Sequence, residues 1–335
     1  MGKKGMLLSI VLLSVIFLSV GSLTPVSAAE FTIKYAVSAP DTSFHAEFAR
    51  KFKEEAEKNS NGRIAVNIYG GGQLGSEQDN VQGCSTNMIQ MSTVAVNNLA
   101  PFAPTVGVLT LPYILPNIES AYKVLSDPFM DSLNEQIIAR SNVRVLSWLV
   151  GGYRVLTNSK KPIKVPSDME GLKVRVPKNE IMIKTYKAWG VNPVPMAWSE
   201  VFNGLQQKVI DAQDNPHIVN SASKFYEVQE YITDIHYMLW TGPCMISETY
   251  YTKMPAELQN VVKDAAVTAA KHEWEWVAEK EALALKECVD NGMIFTKPEK
   301  EDTEWIPMAR SVWPEFYDTV GGKEVVDKLL LVLEK

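Results

Sequence analysis

Residues 31–69 read FTIKYAVSAPDTSFHAEFARKFKEEAEKNSNGRIAVNIY, and the hydrophobic period changes twice along them. Phe31 to Val37 alternates as a half-buried strand does, whereas Phe44, Phe48, Phe52 and Ala56 recur every fourth residue and mark one face of a helix. Asn61 and Gly62 close that helix, and Ile64 to Tyr69 alternates again. Strand, helix and strand in this order open an α/β domain.

The same alternation continues outward. Gly70 to Gly75 formally satisfies GxGxxG after a strand, but a dinucleotide site also needs an acid about 20 residues on, where Ala95 to Asn98 stand; a glycine-rich turn is the reading that remains. Prolines 101, 104, 112 and 116 punctuate the next segment, in which Leu111 to Tyr113 ends an apolar run that reads as a buried strand. A helix over Ile118 to Arg140 and a strand over Val143 to Val150 follow, and Gly151 with Gly152 is expected to break that strand at a crossing between domains. Leu172–Val176, Val191–Val194 and Val209–Gln213 read as strands, with helices over Ile181–Trp189 and Ser199–Gln206, which makes a second α/β domain. From Pro255 to Asp290 there is no helix breaker, and Gly292 stands just past the end. Such a helix is about 50 Å long, more than the diameter of one small domain, and is expected to lie across both. Two domains also suit a length of 335 residues.

The N-terminus carries a different signal. Lys3 and Lys4 precede an uncharged apolar run from Met6 to Val20, and small residues follow up to Ala28 and Ala29. That is the pattern of a secretory signal peptide over residues 1–29, since the run is shorter than the ~20 residues of a membrane span. Export to the periplasm is therefore expected. Without the leader, 31 basic residues face 39 acidic ones, a formal charge of −8, and no nucleic-acid partner is expected. Cys84, Cys244 and Cys288 have no metal or redox spacing and read as buried free thiols, with one pairing among them left open.

Motifs of catalysis are missing. There is no GxSxG and no P-loop lysine, and the HExxH pattern begun by His272 and Glu273 fails at Trp276. His45, His217, His236 and His272 show no ligand spacing among themselves and read as structural or solvent-facing. No catalytic residue, metal or cofactor is assigned.

Gly171 to Pro177 places Arg175 in a short apolar strand, with Val174 and Val176 on the opposite face by the period of two and Pro177 ending the strand. A planar guanidinium at such a strand end is suited to hold a carboxylate through two parallel hydrogen bonds. In order along the chain, Gly171–Pro177, Pro195–Phe202, Val209–Pro216, Phe225–Gln229 and Ser247–Tyr250, with Gly72–Gly75 and Leu111–Tyr113 before them, resemble the signatures of the substrate-binding proteins of tripartite ATP-independent periplasmic (TRAP) transporters, the DctP-type group. The resemblance spans essentially the whole chain after the leader. It implies an α/β, two-lobe periplasmic solute-binding fold with a hinge and a long interdomain helix. Lobe I is expected over 30–152 plus 241–281, and lobe II over 153–240 plus 282–335, with the helix 255–290 spanning both.

By the same resemblance Arg175 matches the carboxylate-binding arginine, Arg154 a second polar contact, Asn215 the site asparagine and Trp198 an aromatic wall. Ala212 and Asp214 depart from the glycine and glutamate common there. Ser38 and Ala95 stand where sialic-acid-binding members carry polar site residues, so a smaller or flatter acid is expected. Trp148 reads as core. If Trp198 and Trp240 both face the cleft, they offer stacking area to a flat acid. An aromatic acid, a uronate-like sugar acid and a dicarboxylate stay open. The implied function is capture of a small organic acid by clamshell closure and its delivery, by a monomeric receptor, to an ion-gradient-driven membrane permease. The rival readings are a ligand-sensing protein for a receptor and a periplasmic hydrolase or lyase.

Overall fold

The computed structural model describes residues 28–334, so all of the expected leader except its last two residues lies outside it. Two sheets organise the chain. In the first, β1 (Phe31–Val37) pairs in parallel with β2 (Ile64–Tyr69) and with β3 (Met91–Thr93). The second sheet begins with β5 (Val155–Asn158), which follows β4 (Val143–Tyr153) after a single residue. It continues with β6 (Val174–Val176), β7 (Val194–Pro195), β8 (Ala212–Asn215) and β9 (Tyr231–Thr233). Then β10 (Leu239–Ser247) returns to the first sheet between β3 and β4, antiparallel to both, and β11 (Ile294–Thr296) completes the second. The orders are β2-β1-β3-β10-β4 and β11-β9-β5-β8-β6-β7.

The predicted βαβ opening is present, with the helix at Phe44–Asn59 capped by the Ser43 hydroxyl, which accepts the Ala46 N–H. Four other expectations are corrected. Residues Pro104–Thr110 form a 3₁₀ helix and no strand includes Leu111–Tyr113. Proline supplies no ladder N–H, and Tyr113 instead turns with φ +57° and donates its N–H to Tyr237 O. The helix expected over 118–140 is two, Ile118–Ser126 and Phe129–Ser141, interrupted at Asp127 and Pro128. Gly151 and Gly152 do not break β4. They let it pass its neighbours closely, because a Cβ on Gly151 would stand 2.4 Å from Phe44 Cζ. The strand read at Val209–Gln213 lies at Ala212–Asn215, with Val209 left exposed in the preceding turn.

The long helix runs Ala256–Asp290, 35 residues or about 52 Å. Its first half buries Leu258, Val262 and a run of alanines in one apolar cluster with Phe48 and Phe52 of the first lobe. Its far end buries Cys288 beside Val155 and Ile232 of the second sheet. It is therefore a brace common to both lobes. The C-terminal segment departs from its expected place in lobe II: Val312, Trp313, Phe316, Val326, Leu329 and Val332 join the apolar cluster of the first lobe with Leu109 and Val124. The reason is the helix Lys323–Glu334, whose apolar face has its complement on the helix Ile118–Ser126. In the second lobe an edge-to-face aromatic set, Tyr186, Trp189, Tyr237 and Trp305, forms the centre. All three cysteines are free and buried, and Trp148 lies in the first-lobe cluster.

Candidate functional site

The lobes are joined where Tyr153 ends β4 and Val155 begins β5, with Arg154 alone between them. The return crossing is residues 234–238, and the two are tied by the Arg154 N–H, which donates to Met238 O at 2.9 Å. The Arg154 side chain is only 2% exposed. Its Nη1 donates to Asp214 O at 2.7 Å and to Asn215 Oδ1 at 3.2 Å, and stands 3.4 Å from Asp214 Oδ1. Nη2 donates to Asn97 Oδ1 in the first lobe at 3.4 Å. A buried guanidinium needs a counter-ion, and Asp214, itself buried and hydrogen-bonded by the Tyr237 hydroxyl, supplies it.

Arg175 is the middle residue of β6, paired with Gln213 of β8 and Val194 of β7. Val174 and Val176 are fully buried in the core of the second lobe. The side chain is 3% exposed, and its Nε and Nη2 both donate to Met196 O, at 3.0 and 2.7 Å. One edge of the fork is thus fixed by a backbone carbonyl, which orients the end pair Nη1 and Nη2. Burial brings the guanidinium down to about 10, against the attraction of Asp214 and Glu77, so it remains charged at neutral pH.

The six residues singled out in the sequence, Ser38, Arg154, Arg175, Trp198, Asn215 and Trp240, all line one cavity between the lobes. The site asparagine is engaged on both sides of its amide: Nδ2 donates to Gln213 Oε1, and Oδ1 accepts from Arg154. Ser38 donates to Gly75 O and accepts from Asn80 Nδ2, which ties it to the glycine-rich turn. Trp240 is buried edge-on to Phe44 and to His45, with centroids 4.8 Å away in each case. Trp198 is half-buried against Phe225.

Sequence reasoning found Ser38 but missed the rest of the first-lobe face of the cavity, and Ser223 of the second lobe. Ser76 and Asp79 form a capping box at the start of the helix Glu77–Ser85, which fixes Glu77 in the first turn. Glu77 accepts the Ala95 N–H and Asn98 Nδ2, each at 2.7 Å. Burial raises its pKa above the ordinary carboxylate value, partly offset by the Ala95 N–H and the two arginines. His45, stacked on Phe44 at 4.0 Å, is drawn down to about 3 by burial and is a neutral wall of the cavity. Ser223 presents a buried hydroxyl with no protein partner. The signal for Glu77 was the S-x-x-D cap directly after the glycine turn, and for His45 its place beside Phe44 on the apolar face of the first helix.

The cavity therefore has a cationic end at Arg175, a carboxyl and an amide at Glu77 and Asn98, and apolar walls from Phe44, Trp198, Ile218 and Trp240. Two hydrogen bonds also close the lobes over it. Gln78 Nε2 donates to Lys178 O at 3.2 Å, and Asn179 Nδ2 to Asn97 O at 3.1 Å.

Comparison with known proteins agrees with this geometry. Residues 35–319 match the model of the bacterial extracellular solute-binding proteins, family 7. A solute-binding protein of Roseobacter denitrificans is 33% identical over 270 residues, 81% of this chain and 82% of its own. A TRAP periplasmic solute-binding protein structure from that organism with bound L-galactonate, 30% identical, superposes with a TM-score of 0.84 over 91% of this chain and all of the other. An apo, open TRAP solute-binding protein from Rhodobacter sphaeroides is 37% identical over 91% of this chain and 99% of its own, yet superposes with a TM-score of 0.75. The 2,3-diketo-L-gulonate-binding periplasmic protein of Escherichia coli is 28% identical over 77% of this chain and 78% of its own. This chain belongs to the family 7 bacterial extracellular solute-binding proteins, the substrate receptors of TRAP transporters.

Proposed function

We propose that the protein is an exported, monomeric receptor that closes on a polyhydroxylated monocarboxylate, a sugar acid of the aldonate type, and presents it to a TRAP membrane permease without chemical change. The observation that carries this reading is the placing of the Arg175 guanidinium and the Glu77 carboxyl in one cavity. Arg175 takes the ligand carboxylate, with Arg154 and Asn215 beside it. Glu77, which already accepts two hydrogen bonds from protein, has acceptor capacity left for hydroxyls of the ligand body. A dicarboxylate would bring its second charge toward Glu77, and an aromatic acid would leave the Ser223 hydroxyl and the remaining acceptor capacity of Glu77 unused. Relatives support the choice: structures at 30% and 28% identity carry L-galactonate and, from Haemophilus influenzae, L-gulonate. The leader at residues 1–29 directs export, and lobe closure about Arg154 and residues 234–238 buries the ligand.

The test is a thermal-shift and calorimetric panel of L-galactonate, L-gulonate, D-erythronate, succinate, benzoate and galactose. A ligand at a hundred times its Kd stabilises the folded state by about 2.7 kcal/mol. One or more of the sugar acids should do so. Stabilisation by succinate, benzoate or galactose with none from the sugar acids would overturn the reading.

A further inference from the structure

Apart from the cavity lining, three side chains converge at the crossing between the lobes. His217 opens the short helix His217–Ala222 of the second lobe, Asp234 follows β9, and His236 lies within the crossing 234–238. One donor atom from each lies within 4.8 Å of the other two. Asp234 Oδ1 is 2.6 Å from His236 Nε2 and 3.4 Å from His217 Nε2. Despite these approaches that buried oxygen has no directed hydrogen bond, and neither does the buried His217 Nδ1. The His217 side chain is only 7% exposed. The three donor atoms are thus close enough together to share one ion.

We propose that His217, Asp234 and His236 form a binding site for a divalent transition-metal ion of the Zn²⁺ type. Two imidazole nitrogens and one carboxylate oxygen are a donor set such ions take, with water completing the shell. Bonds of about 2.0–2.2 Å in a tetrahedral arrangement hold ligand atoms about 3.3 Å apart. The His217–Asp234 separation of 3.4 Å already meets this. His236 must withdraw from the carboxylate by less than about 1 Å, and its side chain, 45% exposed, has room to do so. Its backbone lies in the left-handed region at φ +42°. The Tyr153 ring, 4.9 Å from the imidazole, backs it, and the Glu281 carboxyl of the long helix lies near both histidines while accepting the Ile218 N–H. An ion here would join the crossing to a helix whose next residues, Ile218, Val219 and Ala222, are cavity wall.

The experiment is a titration of the untagged, chelator-dialysed protein with Co²⁺, read by its visible ligand-field absorption, with Zn²⁺ as competitor. The expected result is about one equivalent bound and displaced by Zn²⁺. His236→Ala and Asp234→Asn should each weaken binding at least about tenfold, with unchanged circular dichroism, while His272→Ala, at the half-buried His272–Glu47 pair, leaves it unaltered. Absence of stoichiometric Co²⁺ binding, or binding that both variants leave within twofold of the parent, would reduce the cluster to an ordinary ion pair and overturn the proposal.

Discussion

Replacement of Arg175 by alanine is the most direct perturbation of the proposed carboxylate site. The guanidinium is nearly fully buried, already oriented by Met196 O, and shares the cavity with a second carboxyl at Glu77. Without it the ligand carboxylate enters a low-dielectric site that holds Glu77 and offers only Arg154, which Asp214 already neutralises. Breaking a buried pair by removing one partner costs about 3–5 kcal/mol. At ~1.4 kcal/mol per decade this is a rise in Kd of roughly 100- to 5,000-fold. Arg175→Lys separates charge from geometry. One ammonium cannot hold Met196 O and also present two parallel donors, so a loss of about 2 kcal/mol, roughly thirtyfold, is expected even with the charge kept. The assay is isothermal calorimetry with the sugar acid that gives the largest thermal shift, beside urea unfolding to show that each variant folds. Affinity of the alanine variant within about fivefold of the parent would remove Arg175 from the site, and a lysine variant equal to the parent would refute the role of the fork.

Three other substitutions address different parts of the cavity and its support. Glu77→Gln should raise Kd for the sugar acid by roughly 10- to 150-fold, the range for a hydrogen bond to a charged group, measured by calorimetry. Because burial raises the Glu77 pKa, the folded state keeps this proton to higher pH than the unfolded state does. Its contribution to stability therefore falls as pH rises from about 4.5 through the folded pKa, and the variant should lose that slope. Glu273→Gln on the long helix follows the same sign more strongly. The carboxyl is fully buried, holds only the Val150 N–H at 3.4 Å, and is pushed well above its ordinary value by desolvation; the variant should match the parent in Tm near pH 5 and exceed it at pH 8, and equal Tm at both would refute the assignment. Gly151→Ala drives a methyl to within 2.4 Å of Phe44 and 3.0 Å of Trp240, an overpacking worth about 1–3 kcal/mol in urea unfolding. Since both rings are cavity wall, its affinity should fall together with its stability.

How far the molecule could be read from its sequence differs between levels. Local periodicity found the opening βαβ unit and the long helix, because each is governed by neighbours within a few residues. It misplaced the segments around Pro112, Pro128 and Gly151. At the two prolines a missing N–H set the structure, and at Gly151 a close approach between distant residues did. Arg175, Arg154 and Asn215 were accessible through ordered motifs within one stretch of chain. Glu77, Asn98 and His45 were not, since they meet the arginines only after the lobes face each other, and Ser223 was not, since no motif marks it. Asp214 was visible as a substitution for glutamate, but its role as counter-ion to Arg154 needed the geometry of the crossing. The C-terminal segment went to the wrong lobe because helix amphipathicity reports that a face is buried and not against what.

Arg154 has one more implication. The residue that separates β4 from β5 is also the residue that touches Asn97 on one side and Asp214 and Asn215 on the other, so on the proposed reading the axle of the molecule is part of its sensor. A change there to suit a different solute would also alter how the two halves swing. On the proposed reading, changes at wall positions such as Ser38, Ser223 and Trp198 would alter the cavity without touching the pivot.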